Sequence, residues 1–196
     1  VKKAGPRYRV PLRRRREGRT DYRQRLRLLA SGKPRLVPRV SLNHVSVQVI
    51  EYSKGGDRVL ASAHSKELEK FGWKGGTSNI PAAYLVGLLC GYRAVKAGVG
   101  ECVLDLGGFT PTPGSRVFSA LKGALDAGLS VPHGEVLPDE ERISGKHISA
   151  HALSLKERDA SEYGAKFSGY LKRGMPPEKL PEHFNEVRQE IVKQFQ

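Results

Sequence analysis

Residues 105–110 read Asp-Leu-Gly-Gly-Phe-Thr, and that run has the make-up of a phosphate loop. Glycines let backbone amides come close to a phosphate, and Asp105 would hold magnesium through water. A phosphotransfer enzyme also needs two large lobes and further phosphate motifs. This chain has 196 residues and no second copy of the run. A strand-to-helix turn that uses Gly107 and Gly108 for their backbone angles is the expected reading. His147 and His151 stand four apart, the spacing of two metal ligands on one helix face. A zinc protease also needs a glutamate beside the first histidine and a third ligand. Ile148 occupies the glutamate position, so no metal site is expected. Cys90 and Cys102 have no sequence-defined histidine partner for nucleophilic work, and they make neither a disulfide framework nor a zinc ribbon. Core positions in a reducing compartment are expected for both. No Walker loop and no GxGxxG run occurs. The sequence offers no active site and needs no cofactor, so the chain is read as not an enzyme.

The remaining chemistry is electrostatic. Lys and Arg number 34 against 20 Asp and Glu, a formal charge of +14. The first 40 residues carry 15 of the basic side chains and only two acids, Glu17 and Asp21. The rest of the chain is almost neutral. A chain kept soluble by charge would scatter it. A concentrated basic arm is a footprint for a polyanion, nucleic acid above all. Tyr8 sits between Arg7 and Arg9, a stacking group in a cationic strand, and aromatic and guanidinium planes stack on unpaired bases. No apolar run is long enough for a membrane span, and no secretory signal is expected.

The arm needs a body to aim it. Residues 1–19, broken by Gly5, Pro6 and Pro11, read as extended chain. Thr20 or Asp21 caps a short helix, with Leu26, Leu29 and Ala30 on one docking face, Arg23, Arg25 and Arg27 around the rest, and Gly32 as the stop. Three strand-like runs follow as an antiparallel meander. Arg35 to Ser41 runs around Pro38, a residue of edges or bulges. Val45, Val47 and Val49 alternate with Ser46 and Gln48. Arg58 to His64 returns after the turn at 54–57. Ser65 to Phe71 is a helical turn. Ser78 or Asn79 caps a long helix reaching about Ala97, whose Gly87 and Gly91 allow close approach to a sheet. Cys102 to Leu106 is a short buried strand, and Ser115 to Ala127 a second helix. The fold class is therefore α/β: a mixed sheet with an antiparallel meander and packed helices, a basic N-terminal extension and a helical C-terminal extension. The expected domains are a basic RNA-binding arm with its short helix at 1–34, an α/β core at 35–133 and a helical extension at 134–196. In the last, Phe184, Val187, Ile191 and Phe195 keep helical spacing. They are candidate contacts for a neighbouring protein, or they cover this chain's own body.

Several long runs carry a family resemblance. GPRYRVPLRRRREGRTDYRQRLRLLASGKPRL at 5–36 resembles the N-terminal signature of the universal L-eighteen family of large-subunit ribosomal proteins, which bind 5S ribosomal RNA. DRVLASAHSKEL at 57–68, GWKGGTSNIPAAYLVGLL at 72–89, PGSRVFSALKGALDAGLSVPHGE at 113–135 and PEHFNEVRQE at 181–190 continue it. The long C-terminal region is similar to the archaeal-type long form. The resemblance implies a non-catalytic structural constituent of the large subunit, cytoplasmic and on the ribosome. It implies 5S rRNA, large-subunit rRNA and neighbouring large-subunit ribosomal proteins as partners, no membrane, and a place in the central protuberance. The positions it points to as rRNA-binding are Arg7, Tyr8, Arg9, Arg13, Arg14, Arg15 and Arg16 in the arm. Arg19, Tyr22, Arg23, Arg25 and Arg27 follow, then Ser31, Lys33 and Arg35. One departure stands out: the family commonly has a basic residue before Ser-Asn, and here Val40 precedes Ser41 and Leu42.

Overall fold

The computed structural model describes residues 5–195; Lys2 and Lys3, counted above with the arm, lie outside them. One helical turn, α1 (Arg13–Arg16), interrupts the arm, and α2 (Tyr22–Ala30) follows it. Asp21 starts α2 because its carboxylate accepts from the amides of Arg23 and Gln24, two donors that the first turn would leave unpaired.

The sheet begins with β1 (Arg35–Val40), β2 (Val45–Glu51) and β3 (Arg58–His64), paired antiparallel. A 3-10 helix at Ser65–Phe71 then leads to the long α3 (Ile80–Lys96). Asn79 caps α3 and Pro81 sits in its first turn, where a missing N–H does no harm. The strand β4 (Val103–Leu104) pairs parallel to β1, giving the order β3-β2-β1-β4. The α/β class and mixed sheet expected from the sequence are what the structure shows. β4 is shorter than the expected Cys102–Leu106. Its ladder with β1 stops at Leu36, whose carbonyl accepts from the Asp105 amide. Pro38, two residues on, turns to the same flank beyond the last β4 pair, so its absent N–H breaks no ladder bond.

The pleat sorts the sheet into two faces. Leu36, Pro38 and Val40 share one with Val45, Val47 and Val49 of β2 and with Ala61 and Ala63 of β3. α3 and α4 (Arg116–Asp126) cover that face. α3 is buried nearly all round, as a helix between other layers must be. Gly87 and Gly91 serve a different approach from the one expected: they face Ala120 and Ala124 of α4 and Ala127 just after it, not the sheet. Cys90 and Cys102 are buried, and burial pushes their thiols up to about 12 and about 11, so both stay protonated at neutral pH.

The remaining helices are α5 (Glu140–Ser144), α6 (Lys146–Arg158), α7 (Ala160–Lys166), α8 (Ser168–Lys172) and α9 (Leu180–Phe195). Phe184, Val187 and Ile191 of α9 are at most 3% exposed and belong to the same core as α3. Phe195 is half-buried and stacks on Tyr92, with centroids 5.3 Å apart. The candidate protein-contact stripe is thus turned onto this chain's own body rather than left as a free face. His147 and His151 lie exposed on α6, and no three metal-ligating side chains gather there among the described residues. Among those residues, no helix is long and apolar enough to cross a membrane.

Candidate nucleic-acid interface

The outer face of the sheet carries Arg35, Val37 and Arg39 of β1 opposite Ile50, Gln48 and Ser46 of β2. Two arginines on one strand face need anions, and two aspartates at the ends of neighbouring strands supply them. Asp57 lies in the β2–β3 turn and Asp105 just past β4. Arg35 is only 3% exposed. It donates from Nη1 to Asp105 Oδ2 and from Nη2 to Asp57 Oδ2, each at 2.7 Å. Its Nε is buried and has no partner among the described residues. Arg39 spans the loop after β4, donating from Nη1 to the carbonyls of Pro38 and Asp105 at 2.8 Å and from Nη2 to Asp105 Oδ1 at 3.3 Å. The amide of Gly107 donates to the same Oδ1 at 2.9 Å.

This settles the 105–110 run. The carboxylate that would serve a magnesium ion is engaged by two guanidiniums, and the Gly107 amide that would meet a phosphate is spent on that carboxylate. Gly107 has φ +63°, and a Cβ there would sit 2.9 Å from Arg39 Nη2. The glycine is needed for a turn under an arginine.

Asp57 extends the ion ladder to the arm. Arg25 Nη2 donates to its two oxygens at 2.9 and 2.8 Å. That bond docks α2. The leucine face expected for this role is used only in part: Leu28 and Leu29 are half-buried, α2 buries no residue fully, and Leu26 is 70% exposed. Partial burial pushes the Asp57 carboxyl up, but Arg25 and Arg35 outweigh it and hold it below its ordinary value. A carboxyl depressed in the folded state adds stability that is full above its unfolded value, about 3.9. That stability disappears as pH falls through the depressed value. Asp57→Asn is therefore expected to melt below the native chain at neutral pH. The two melting curves should converge in acid, once Asp57 is protonated. Parallel curves down to the lowest pH would contradict this.

Seven of the expected rRNA-binding positions have partners within the chain. Arg35 is the most enclosed of them, a buried guanidinium clasped between two carboxylates. Arg25 holds Asp57, Lys33 pairs with Glu101, and Ser31 Oγ donates to the Leu28 carbonyl at the end of α2. Tyr22 is half-buried, and Tyr8 is 60% exposed. Arg13 and Arg19 share Glu17, at 2.8 and 3.3 Å, and Arg14 Nε donates to Thr20. Arg7, Arg9, Arg15, Arg16, Arg23 and Arg27 are exposed, with no ion pair among the described residues. The structure therefore gathers a run of unneutralised guanidiniums along the arm and α2, tied at its root to the sheet.

Comparison with known families decides the identity. The sequence matches the family described as ribosomal large subunit proteins 60S L5, and 50S L18 over residues 6–100 and 96–134, well over half of the chain. The chain belongs to that family. It is a large-subunit ribosomal protein of an rRNA-binding family, and the matched region takes in the arm, the sheet, the Asp57 and Asp105 clasp, and the α3–α4 pair. Arg39, Asp57, Asp105 and Phe109 at this interface were absent from the expected set. The period of β1, which puts Arg35 and Arg39 on one face two pleats apart, is the signal that finds Arg39; Asp57 and Asp105 pair with that face from 22 and 70 residues away and leave no local signal. Phe109 leaves no periodic trace, because it sits in a loop.

Proposed function

We propose that the chain binds 5S ribosomal RNA through its basic arm and α2. The same arm reaches large-subunit rRNA, and the protein helps form the central protuberance beside neighbouring ribosomal proteins. In this reading residues 1–34 contact RNA, 35–133 aim them, and 134–196 brace the body. Its role is structural and not catalytic. The observation that carries it is the set of exposed arginines without carboxylate partners among the described residues: Arg7, Arg9, Arg15, Arg16, Arg23 and Arg27. Guanidinium forks take phosphate oxygens in pairs, and each phosphate neutralised releases counterions. If roughly half of the 15 basic residues in the first 40 meet phosphate, log affinity falls by about five per tenfold rise in salt. Selectivity then comes from RNA shape and unpaired loops rather than from groove reading.

The test is 5S rRNA binding across a salt series with Arg15→Gln and Arg16→Gln, and with residues 1–19 removed. Removal of 1–40 would take away β1 and with it the fold. Each substitution is expected to weaken binding and to reduce the salt slope by about 0.7 to 0.9. Unchanged affinity and slope without residues 1–19 would end the proposal.

A further inference from the structure

A cleft of about 510 Å³ lies between the arm and the outer face of the sheet. That size falls in the range of about 300–1,000 Å³ typical of small-molecule sites. Val37 and Ile50, on that outer face, give it apolar walls. Phe109, on the loop after β4, lines it too and is 38% exposed. Arg14 and Arg19 face it from the arm and Arg39 from the sheet.

These arginines have donors to spare. A guanidinium carries five N–H groups. Arg14 commits its Nε to Thr20 Oγ1, at 2.9 Å, leaving its Nη groups. Arg19 meets Glu17 through Nε, at 3.3 Å, and its side chain is 67% exposed. Of the carboxylates that also line the cleft, Asp57 and Asp105 have both oxygens engaged, and Asp21 is engaged through Oδ1. Asp21 accepts the amides that start α2, and Asp57 and Asp105 are held by guanidiniums. A ligand entering here meets cationic donors at the rim, an apolar wall and an exposed ring.

A bare phosphate has no use for Phe109, Val37 or Ile50. An apolar peptide has no use for Arg14 and Arg19. A nucleotide out of its helix uses both, because its base has two apolar faces and its phosphates need guanidiniums. We propose that the cleft receives one unpaired nucleotide of the bound RNA, its base stacked on Phe109 beside Val37 and Ile50, its flanking phosphates on Arg14 and Arg19. This rests on the reading of the chain as a 5S rRNA binder. The arm then supplies affinity for any RNA, and the cleft supplies preference for RNA with an unpaired base in reach.

The experiment is binding of 5S rRNA by the full chain carrying Phe109→Ala, Phe109→Leu or Phe109→Trp, over a salt series. Alanine and leucine are expected to weaken binding by about fivefold to a hundredfold with no change in salt slope, since stacking moves no counterion. Tryptophan restores a ring and is expected to bind as the native chain does. That rescue separates lost stacking from lost folding. Ultraviolet irradiation of the native complex is expected to join an unpaired nucleotide to the peptide that carries Phe109. Native-like binding by Phe109→Ala, or by Phe109→Leu, would overturn the proposal. If that occurs while Arg15→Gln still lowers the salt slope, the cleft is dismissed and the arm reading stands. If Arg15→Gln and removal of residues 1–19 also bind as the native chain does, both fall.

Discussion

Asp105→Ala is expected to destabilise the protein by about 3–5 kcal/mol, although it removes a single small side chain. The reason lies in what stays behind. Arg35 is 3% exposed and Asp105 7%, so the pair is out of water. Truncating Asp105 leaves the Arg35 Nη1 donors with no carboxylate, and the Arg39 and Gly107 donors lose the same acceptor. A buried charge that loses its partner keeps its desolvation penalty and forfeits the compensating attraction. Asp57 still holds Nη2, which places the expected loss nearer the lower figure. Urea unfolding measures it as a lower midpoint at unchanged slope. The double variant Asp105→Leu with Arg35→Met removes both buried charges and is expected to recover much of the loss, leaving only the Arg39 and Gly107 donors without their former acceptor. A loss under about 1 kcal/mol for Asp105→Ala, the value of a solvated pair, would show that the clasp does not hold the sheet together.

The same clasp shows what was legible in the sequence. Local signals were readable: Asn79 and Pro81 start α3, the alternation of Val45, Val47 and Val49 gives β2, and the glycines at 55–56 turn it into β3. Those signals act within a few residues. Arg35 reads from composition as one more member of a basic arm, because type and count do not distinguish a solvated guanidinium from a buried one. Its fate is decided by Asp57 and Asp105, 22 and 70 residues away. Leu26 misleads for the matching reason. Its spacing suits a docking face, but α2 is fixed by Arg25 to Asp57 across 32 residues, and the leucine is left in solvent. The stripe on α9 has a third cause. Phe184, Val187 and Ile191 have the same period whether the partner is another protein or α3 of this chain, so periodicity gives the face and not its occupant. The candidate interface was therefore readable as to the arm, where exposure follows from repulsion and broken structure. It was unreadable at its root, where pairing across the chain decides.

The pairing of α3 and α4 sets the largest effect expected from adding a single carbon. Glycine in a helix interior ordinarily weakens the helix by about 1 kcal/mol relative to alanine. By that rule Gly→Ala in α3, α4 or α7 should stabilise. The backbones say otherwise at two sites. A Cβ on Gly87 would lie 2.0 Å from the Ala120 carbonyl oxygen, and one on Gly123 would lie 2.1 Å from that of Tyr84. The two helices meet main chain to main chain, each glycine opposite the other's carbonyl row. No rotamer change relieves such a contact, so the helices must separate and open the core around Leu85, Leu88 and Leu121. Overpacking usually costs about 1–3 kcal/mol, and a clash with rigid backbone lies at or beyond the top of that range. Gly87→Ala and Gly123→Ala are each expected to lower Tm sharply. Gly164→Ala, in α7 with no heavy atom within 4 Å of its added Cβ, should raise Tm slightly. Opposite signs for one chemical change separate helix propensity from interhelical distance. A stable Gly123→Ala protein would show that the α3–α4 spacing is not fixed by glycine. The consequence reaches the RNA side as well. α3 lies against β2 and β3, and α4 against β1, so the α3–α4 spacing supports the sheet whose far face clasps Asp57 and Asp105 and roots the arm.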